Sequence, residues 1–293
     1  MPLKIRLTLQ GPPADGEGAF ASFRHVSGVR GWVYRCLERE DPVLAGELHG
    51  DTWPKPIAAS PLWRREGAWG LEFSVLLDPL GDVLRRGLEA EGRRLVLGGE
   101  EFTVTDVRVG GRVSYDELCA EGELPDPLRI EFVTPTAHQH TLTVAGEDGA
   151  PRKQRKVAPL PDPALAFTSW WHKWNCMMDY LRRERIPETL RDYLPLLAVA
   201  RMAGRTERVL LDGSRPFIGF VGEIAVKLLA PAAVPADLRA RLRALARFAE
   251  YCGTGVETLR GMGQTRVSGV ESSPAEPREP RAIAPHEDGS RDR

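Results

Sequence analysis

An order of predicted strands and helices that occurs twice along the chain is the feature that most constrains its fold. In the first half, apolar and polar residues alternate over LKIRLTL (3–9) and EEFTVTDVRV (100–109), as in half-buried strands. SGVRGWVYRCLERE (27–40) and DPLGDVLRRGLEAEG (78–92) carry apolar residues at helical spacing, and two short extended segments lie between these helices. The predicted order is strand, helix, two strands, helix, strand.

The second half of the chain repeats this order. LRIEFVT (128–134) is predicted to be a strand, residues 161–185 a long helix, and residues 206–229 a hairpin. A helix over 235–253 and a short closing strand over 263–269 complete the unit. The predicted fold class is therefore α+β, with two tandem ferredoxin-like (βαββαβ) domains and a C-terminal glycine-rich loop.

The predicted domain limits follow from these elements. An N-terminal domain is expected over 1–118 and a C-terminal domain over 126–269, with an acidic, proline-containing linker around 114–127. Residues 270–293 are rich in proline and charge and lack apolar periodicity, so we predict a disordered tail.

The composition is that of a soluble globular protein. Hydrophobic residues make up 42% and charged residues 28%, while the net charge of −1 points to no class of partner. The four cysteines form no CxxC pair, which favours a reducing compartment, and no apolar run is long enough to cross a bilayer. We therefore expect a cytoplasmic protein with no membrane contact.

The segment AEYCGTGVETLRGMGQTRV (249–267) contains four glycines, Gly253, Gly255, Gly261 and Gly263. Glycine tolerates positive φ and lets another molecule approach the backbone, whose N–H groups can hold phosphate oxygens. The segment follows a helix and precedes a strand, which is the reverse of a dinucleotide-binding loop. Either the glycines bind a ligand, or they only end the helix and turn the chain.

This segment also carries a family resemblance. With GFVG (219–222), EFVTPT (131–136), LPDPALAFTSWWHKWN (160–175) and the segment 37–62, it resembles the CRISPR repeat-processing endoribonucleases, the Cas-six family of RAMP proteins. The resemblance covers everything except the tail. It implies that RNA backbone lies against the glycine-rich segment. On that basis, replacing Gly261 and Gly263 by Val is expected to weaken RNA binding and to leave the fold intact.

The resemblance also implies a reaction and partners. Members of the family cleave CRISPR precursor RNA without a metal or other cofactor, by attack of a 2′-OH on the neighbouring phosphate. The products are a 2′,3′-cyclic phosphate and a 5′-OH. The implied partners are precursor RNA and mature guide RNA, while association with other CRISPR effector subunits or with a second copy of the chain is left open.

Catalytic candidates come from the first domain. His49 matches a histidine that many relatives carry after the first helix, so it is the leading candidate for proton transfer. Tyr34 and Lys55 are further catalytic candidates, and His25 is an outside one. Arg30 stands where many relatives have a helix histidine, and its guanidinium could bind the phosphate. The alternatives are an exposed loop histidine for His49, a solvated helix face for Arg30 and a half-buried helix tyrosine for Tyr34.

Cationic residues of the second domain are candidates for RNA binding. RKQRK (152–156) is expected to be an exposed loop whose Arg152, Lys153, Arg155 and Lys156 contact phosphates. The arginine stripe 239, 243 and 247 is either a solvated helix face or a second RNA contact. The aromatic residues of 167–174 fall on helical spacing and are assigned to the core.

Three functions remain open from the sequence. The first is the metal-independent endoribonuclease, and the second is a non-catalytic RNA-binding subunit of the same fold, which the missing helix histidine keeps open. The third is a protein that binds only other proteins. No metal site is predicted, because His138 and His140 lack acidic or cysteine partners in the sequence.

Overall fold

Two antiparallel sheets, one in each half of the chain, organise the structure. The computed structural model describes residues 1–13, 23–50, 54–65, 67–90, 92–120, 122–145, 150–211 and 215–269. The predicted disordered tail, 270–293, lies outside the described residues.

The N-terminal domain consists of a sheet with helices on one face. Its elements in chain order are β1 (Leu3–Gln10), α1 (Val26–Glu40), α2 (Pro42–His49), β2 (Ile57–Ala59), β3 (Trp63–Arg65), β4 (Ala68–Val75), α3 (Asp78–Ala90), β5 (Arg94–Leu97) and β6 (Glu100–Gly110). The strands lie in the order β2-β4-β1-β6-β5, and β3 pairs with β4. Each pairing between them is antiparallel.

The C-terminal domain has the same topology. After the short linker helix α4 (Tyr115–Leu118), its elements are β7 (Leu128–Thr136), β8 (His138–Ala145), β9 (Pro151–Ala158), α5 (Pro163–Leu181), β10 (Leu197–Leu211), β11 (Arg215–Leu228), α6 (Ala236–Cys252) and β12 (Thr265–Ser268). The sheet order is β10-β11-β7-β12, and β8 and β9 form a separate hairpin. In the first sheet β1 lies between β4 and β6, and in the second sheet β7 lies between β11 and β12. This is the place of the first strand in a βαββαβ unit, between the third and the fourth, and it confirms the tandem ferredoxin-like fold.

The apolar alternation of the sequence explains the packing. Every second residue of β1, from Leu3 to Leu9, is buried, as are Trp32 and Leu37 on the facing side of α1. Burying each such aliphatic side chain contributes about 1.5–3 kcal/mol. Of the aromatic residues of α5 that were assigned to the core, Phe167, Trp170 and Trp174 are buried, whereas Trp171 is half-buried.

Two elements differ from the sequence-based prediction. The RKQRK segment is strand β9 of an exposed hairpin and not a loop, because β8 supplies it with a full ladder from His138↔Ala158 to Ala145↔Pro151. The region after the first helix contains α2, which begins at Pro42 with the side chain of Asp41 accepting from Leu44 N at 3.0 Å. Both elements are eight residues long; β9 is rich in polar residues, and the apolar residues of α2 do not follow one clear helical face.

The arginine stripe of α6 holds the segment that joins the domains. Arg243 is 7% exposed and donates to the carbonyl oxygen of Ala120 at 2.8 Å. Arg247 donates to the carbonyl oxygens of Glu117 and Leu118. These two side chains therefore satisfy main-chain acceptors between the domains.

An ion-pair network connects the first sheet to α6. Glu72 on β4 accepts from Lys4 Nζ at 3.1 Å and from Arg6 Nη2 at 3.0 Å. The Lys4 ammonium also lies 5.8 Å from the centre of the Tyr251 ring on α6. Burial by itself raises the pKa of Glu72, but Lys4 and Arg6 outweigh it and hold the pKa below its usual range.

We expect Glu72→Gln to lower the free energy of unfolding by about 1 kcal/mol near neutral pH. Because the pKa of Glu72 is lower in the folded than in the unfolded chain, its contribution is present above the usual carboxyl pKa and is lost as the pH falls. Urea unfolding over a pH series should therefore show the two proteins converging in acid. Glu101→Gln, at a more exposed carboxylate paired with Arg94, is the control. A gap independent of pH would contradict the assignment.

Candidate functional site

Four of the sequence-predicted residues come together where α1 packs against α2. Arg30 and Tyr34 lie one helical turn apart on α1, and the Arg30 guanidinium carbon is 5.7 Å from the centre of the Tyr34 ring. His49 is the last residue of α2, with its ring centre 4.9 Å from that of Tyr34. Lys55 bonds to the same turn of α2. The structure thus gathers side chains that are up to 25 positions apart in the sequence.

Tyr34 and Lys55 hold the last turn of α2 from two sides. The Tyr34 hydroxyl donates to the carbonyl oxygen of Leu48 at 3.1 Å. Lys55 Nζ donates to the same oxygen at 2.5 Å and to the carbonyl oxygen of Gly50. A cation is favourable here because the carbonyls at a helix C-terminus carry partial negative charge. This arrangement fixes the backbone on both sides of His49.

Tyr34 and His49, the two aromatic residues of the cluster, differ in their exposure to solvent. Burial raises the pKa of Tyr34, although the charge and hydrogen bond of Arg30 oppose the shift. The phenol is therefore neutral at physiological pH and acts as a hydrogen-bond donor. The His49 side chain is exposed, so its imidazole is accessible to a ligand in solution.

His25, the outside candidate, is placed differently. It has no exposed surface, and its Nε2 lies 3.0 Å from a carboxylate oxygen of Glu100. Its ring also contacts the edges of Trp69 and Phe102. The structure therefore places His25 in the core of the first domain, where it packs between aromatic rings.

The glycine-rich segment, residues 253–264, lies against the protein's own backbone. Gly253, Gly255, Gly261 and Gly263 all have positive φ, between 63° and 80°. A Cβ at Gly255 would lie 2.1 Å from the carbonyl oxygen of Ala137, and one at Gly263 would lie 2.0 Å from that of Thr254. These contacts account for the glycines without a ligand, and contact with RNA stays a prediction for this segment.

Polar groups of α5 fix the start of the segment. Lys173 is buried and its Nζ donates to the carbonyl oxygens of Cys252 at 2.9 Å and Gly253 at 3.0 Å. Burial lowers the pKa of this amine. Trp170 Nε1 donates to Thr254 Oγ1 at 2.9 Å, and Ser169 Oγ accepts from the Gly255 N–H at 3.1 Å.

Lys173 and Gln264 were not singled out from the sequence. The sequence contains an indication that Lys173 is buried. It lies three residues after Trp170 and directly before Trp174, and both tryptophans are buried on the face of α5 that packs into the core. A charged residue next to such a face indicates a buried partner for its ammonium. Gln264 had no comparable signal, since its partner lies in the other domain.

The glycine-rich segment also packs on the N-terminal domain. Gln264 Nε2 donates to the carbonyl oxygen of Ala59 on β2 at 2.9 Å. The short 3₁₀ turn Thr258–Arg260 contacts both β2 and α1. The helix that carries Arg30 and Tyr34, α1, is therefore also in contact with the glycine-rich segment.

This packing corrects one expectation. Replacing Gly261 and Gly263 by Val cannot leave the fold intact, because a Cβ at Gly261 would lie 2.8 Å from Pro61 N in the other domain. Valine is also strained at positive φ. The double substitution would disrupt the domain contact before it reported on RNA.

The basic hairpin begins beside the same segment. Ala137, the residue before β8, accepts from the N–H of Val256 at 3.1 Å. Arg152, Lys153 and Lys156 on β9 are exposed, and alternation along the strand places cations on both faces. The backbone of Arg155 belongs to this strand, and its side chain lies outside the described part of the structure.

Two negative findings apply to the described residues alone. Within them, no group of three or more His, Cys, Asp or Glu side chains is arranged to hold a metal ion. None of their helices has the length and apolar character that a bilayer span requires.

We expect Gly263→Ala to lower the free energy of unfolding by about 3 kcal/mol or more, because it combines left-handed backbone with a clash against a carbonyl oxygen. Gly99→Ala is the matched control. Gly99 also has positive φ (83°), but a Cβ there meets nothing within 4 Å, so we expect a loss of about 1 kcal/mol. Equal losses in chemical unfolding would show that the contact with Thr254 does not matter.

Comparison with known proteins finds similarity to one family. Residues 130–265 match the family model of CRISPR-associated endoribonuclease Cas6. No curated protein matched the sequence. Among solved structures, the Cas6 protein TTHB231 of Thermus thermophilus, in a product complex, is 25% identical with a TM-score of 0.71, covering 91% of this chain and 100% of its own.

Two further structures agree with this match. A product complex of the Cas6 protein TTHA0078 is 26% identical with a TM-score of 0.67, covering 92% of this chain and 99% of its own. A Cas6-related protein from Pyrococcus furiosus, 11% identical with a TM-score of 0.60, covers 92% of this chain and 100% of its own and shares the fold. The resemblance recognised from the sequence motifs is confirmed.

Proposed function

We propose that this chain, whose C-terminal domain belongs to the family of CRISPR-associated endoribonuclease Cas6, cleaves CRISPR precursor RNA within its repeats to give guide RNAs. The similar Cas6 proteins are described in product and substrate mimic complexes. The observation that carries the proposal for this chain is the cluster of Arg30, Tyr34, His49 and Lys55. It combines an accessible imidazole with two cations.

The reaction we propose is an internal transesterification that needs no metal. The 2′-oxygen next to the scissile phosphate attacks phosphorus while its proton passes to a base. The bond from phosphorus to the 5′-oxygen breaks, and this oxygen takes up a proton. The products are a 2′,3′-cyclic phosphate and a 5′-OH.

The cluster contains groups suited to each part of this reaction. His49 is the proposed proton-transfer group, since an imidazole exchanges protons near neutral pH. Arg30 and Lys55 supply the positive charge that stabilises the phosphorane. The Tyr34 hydroxyl already donates to Leu48, so its role would be to orient the end of α2 under His49.

RNA binding is proposed for the hairpin and the adjoining glycine-rich segment. Arg152, Lys153, Arg155 and Lys156 form a cationic strand that starts where the segment touches Ala137. Within the segment, Gly255 and its neighbours to residue 257 are partly exposed, whereas Gly253, Gly261 and Gly263 are buried. RNA would thus approach near Gly255, and the other three glycines would shape the backbone.

A non-catalytic RNA-binding subunit is the second candidate. It is favoured by Arg30, which stands where many relatives have a helix histidine. With Tyr34 neutral and bonded to Leu48, His49 is the one exposed imidazole of the cluster. Cleavage by a single histidine needs either a dual role for it or a proton from water.

We expect His49→Ala to slow cleavage of the organism's own repeat RNA by about 10²–10⁴-fold at unchanged RNA affinity. The assay would be run in EDTA, with a second substrate that carries a 2′-deoxy sugar at the cut site. Wild-type protein should cleave the first substrate and only bind the second.

His172→Ala provides the control, because His172 is an exposed histidine of α5 in the other domain. Cleavage that survives His49→Ala would move proton transfer away from His49. Tight binding with no cleavage by wild-type protein would favour the non-catalytic subunit.

Neutralising the hairpin tests the RNA path. We expect replacement of Arg152, Lys153 and Lys156 by Gln to weaken RNA binding and to reduce the slope of log K against log salt by about 0.7–0.9 for each lost phosphate contact. A control triple, Arg85→Gln with Arg94→Gln and Arg108→Gln, removes the same charge from the first domain, where Arg94 and Arg108 are exposed and Arg85 is partly exposed. Equal slopes for the two triples would exclude the hairpin as the contact.

A further inference from the structure

Strand β2, which begins two residues after Lys55, is short and receives support from the second domain. It pairs with β4 at three positions, from Ile57↔Val75 to Ala59↔Phe73, and no other described strand pairs with its opposite edge. A strand held by so few backbone hydrogen bonds depends on its other contacts for a fixed position. On the open side of β2 these contacts come from α6 and from the 3₁₀ turn of the glycine-rich segment.

Gln264 reaches this open edge from a fixed position in the second sheet. Its N–H donates to Thr134 Oγ1 at 2.9 Å, and its carbonyl oxygen accepts from the N–H of Val133 at 2.8 Å. Both partners belong to β7, which lies between two other strands of that sheet. From there Gln264 Nε2 donates to the carbonyl oxygen of Ala59 at 2.9 Å. One side chain therefore links a well-held strand of one domain to a weakly held strand of the other.

The other end of β2 leads to the proposed catalytic cluster. Lys55 Nζ donates to the carbonyl oxygen of Leu48 at 2.5 Å and to that of Gly50. These two residues flank His49 in the sequence. A displacement of β2 would move Lys55 and, through its hydrogen bonds, the turn that carries the imidazole.

We propose that Gln264 is a positioning residue of the reaction, which fixes His49 through β2 and Lys55. The inference rests on the proposed function, in which His49 transfers the proton. RNA is proposed to approach the same segment near Gly255, so one segment would bind the substrate and hold the catalytic group in place relative to it. Reacting groups need such fixed geometry, because a misplacement of about 1 Å can slow a reaction by about 10²-fold.

The geometry favours this role over direct contact between Gln264 and RNA. Nε2 is already bonded to Ala59, and the neighbours Gly263 and Thr265 are buried. The side chain also has no charge for a phosphate, unlike the cations of the hairpin. Its hydrogen bond therefore serves the contact between the domains.

The NMR signal of the His49 imidazole tests the link in the free protein. Histidine labelled with ¹³C at Cε1 gives a signal for each imidazole, and the one that His49→Ala removes belongs to His49. Gln264→Met removes the donor at nearly constant size and should shift this signal, as should Lys55→Met. In the Lys55→Met protein, Gln264→Met should cause no further shift, because residues that act through one another are not additive.

Trp171→Phe is the matched control. It removes one N–H donor from the carbonyl oxygen of Ile186, 3.1 Å away, within the second domain. Like Gln264→Met, it costs one hydrogen bond to a main-chain acceptor, but it should leave the His49 signal unchanged. Circular dichroism of each variant checks folding.

Single-turnover cleavage of repeat RNA adds a functional measurement. We expect Gln264→Met to slow cleavage by about 10–100-fold at unchanged RNA affinity, because it displaces a catalytic group and removes no contact with the substrate. In the Lys55→Met background it should cause no further slowing. Trp171→Phe should cleave at the wild-type rate.

Three results would overturn the proposal. The first is an unchanged His49 signal in Gln264→Met, and the second is an equal shift in the wild-type and Lys55→Met backgrounds. The third is a loss of RNA affinity that accounts for the slower cleavage, which would make Gln264 an RNA contact. If wild-type protein binds repeat RNA without cleaving it, the nuclease function fails instead, and the His49 signal still decides whether Gln264 positions that residue.

Discussion

The packing of the glycine-rich segment between the two domains is the contact on which the rest of the structure depends. Its backbone touches Ala137 at the end of β7, receives the buried ammonium of Lys173 from α5 and reaches Ala59 through Gln264. A side chain at Gly255 or Gly263 would overlap a carbonyl oxygen, so glycine is required by the protein itself. The segment therefore joins the two domains through contacts within the protein itself.

The packing of the glycine-rich segment also involves the helix that carries part of the proposed catalytic cluster. The 3₁₀ turn of the segment packs on α1, and α1 carries Arg30 and Tyr34 towards the end of α2. The cationic hairpin leaves the second domain directly after Ala137. In the proposed function, the first domain contributes the Arg30–His49 cluster, and the second domain contributes the cationic hairpin and the exposed part of the segment.

The arginines show that charge alone does not identify a nucleic-acid contact. Arg243 and Arg247 form a regular stripe on α6, yet both bind main-chain carbonyls between the domains. Among the cations of β9, the Arg152, Lys153 and Lys156 side chains are exposed. Whether a guanidinium is available to RNA depends on the groups that it already binds. For Arg243 and Arg247 these groups are carbonyl oxygens of the linker, which only the packing of α6 against the linker reveals.

By itself, the sequence determined the periodic elements and their order, because apolar alternation and helical spacing depend on local burial and recur in both halves. It also indicated the resemblance to the Cas6 family and the residues that we propose for catalysis. The tertiary structure decided that His25 belongs to the core, that RKQRK is a strand and that His49 ends a helix against Tyr34. It also revealed why the glycines are needed. Each of these depends on a partner distant in the sequence, such as Glu100 for His25 or Ala137 for Gly255, and no local pattern encodes which backbone will lie there.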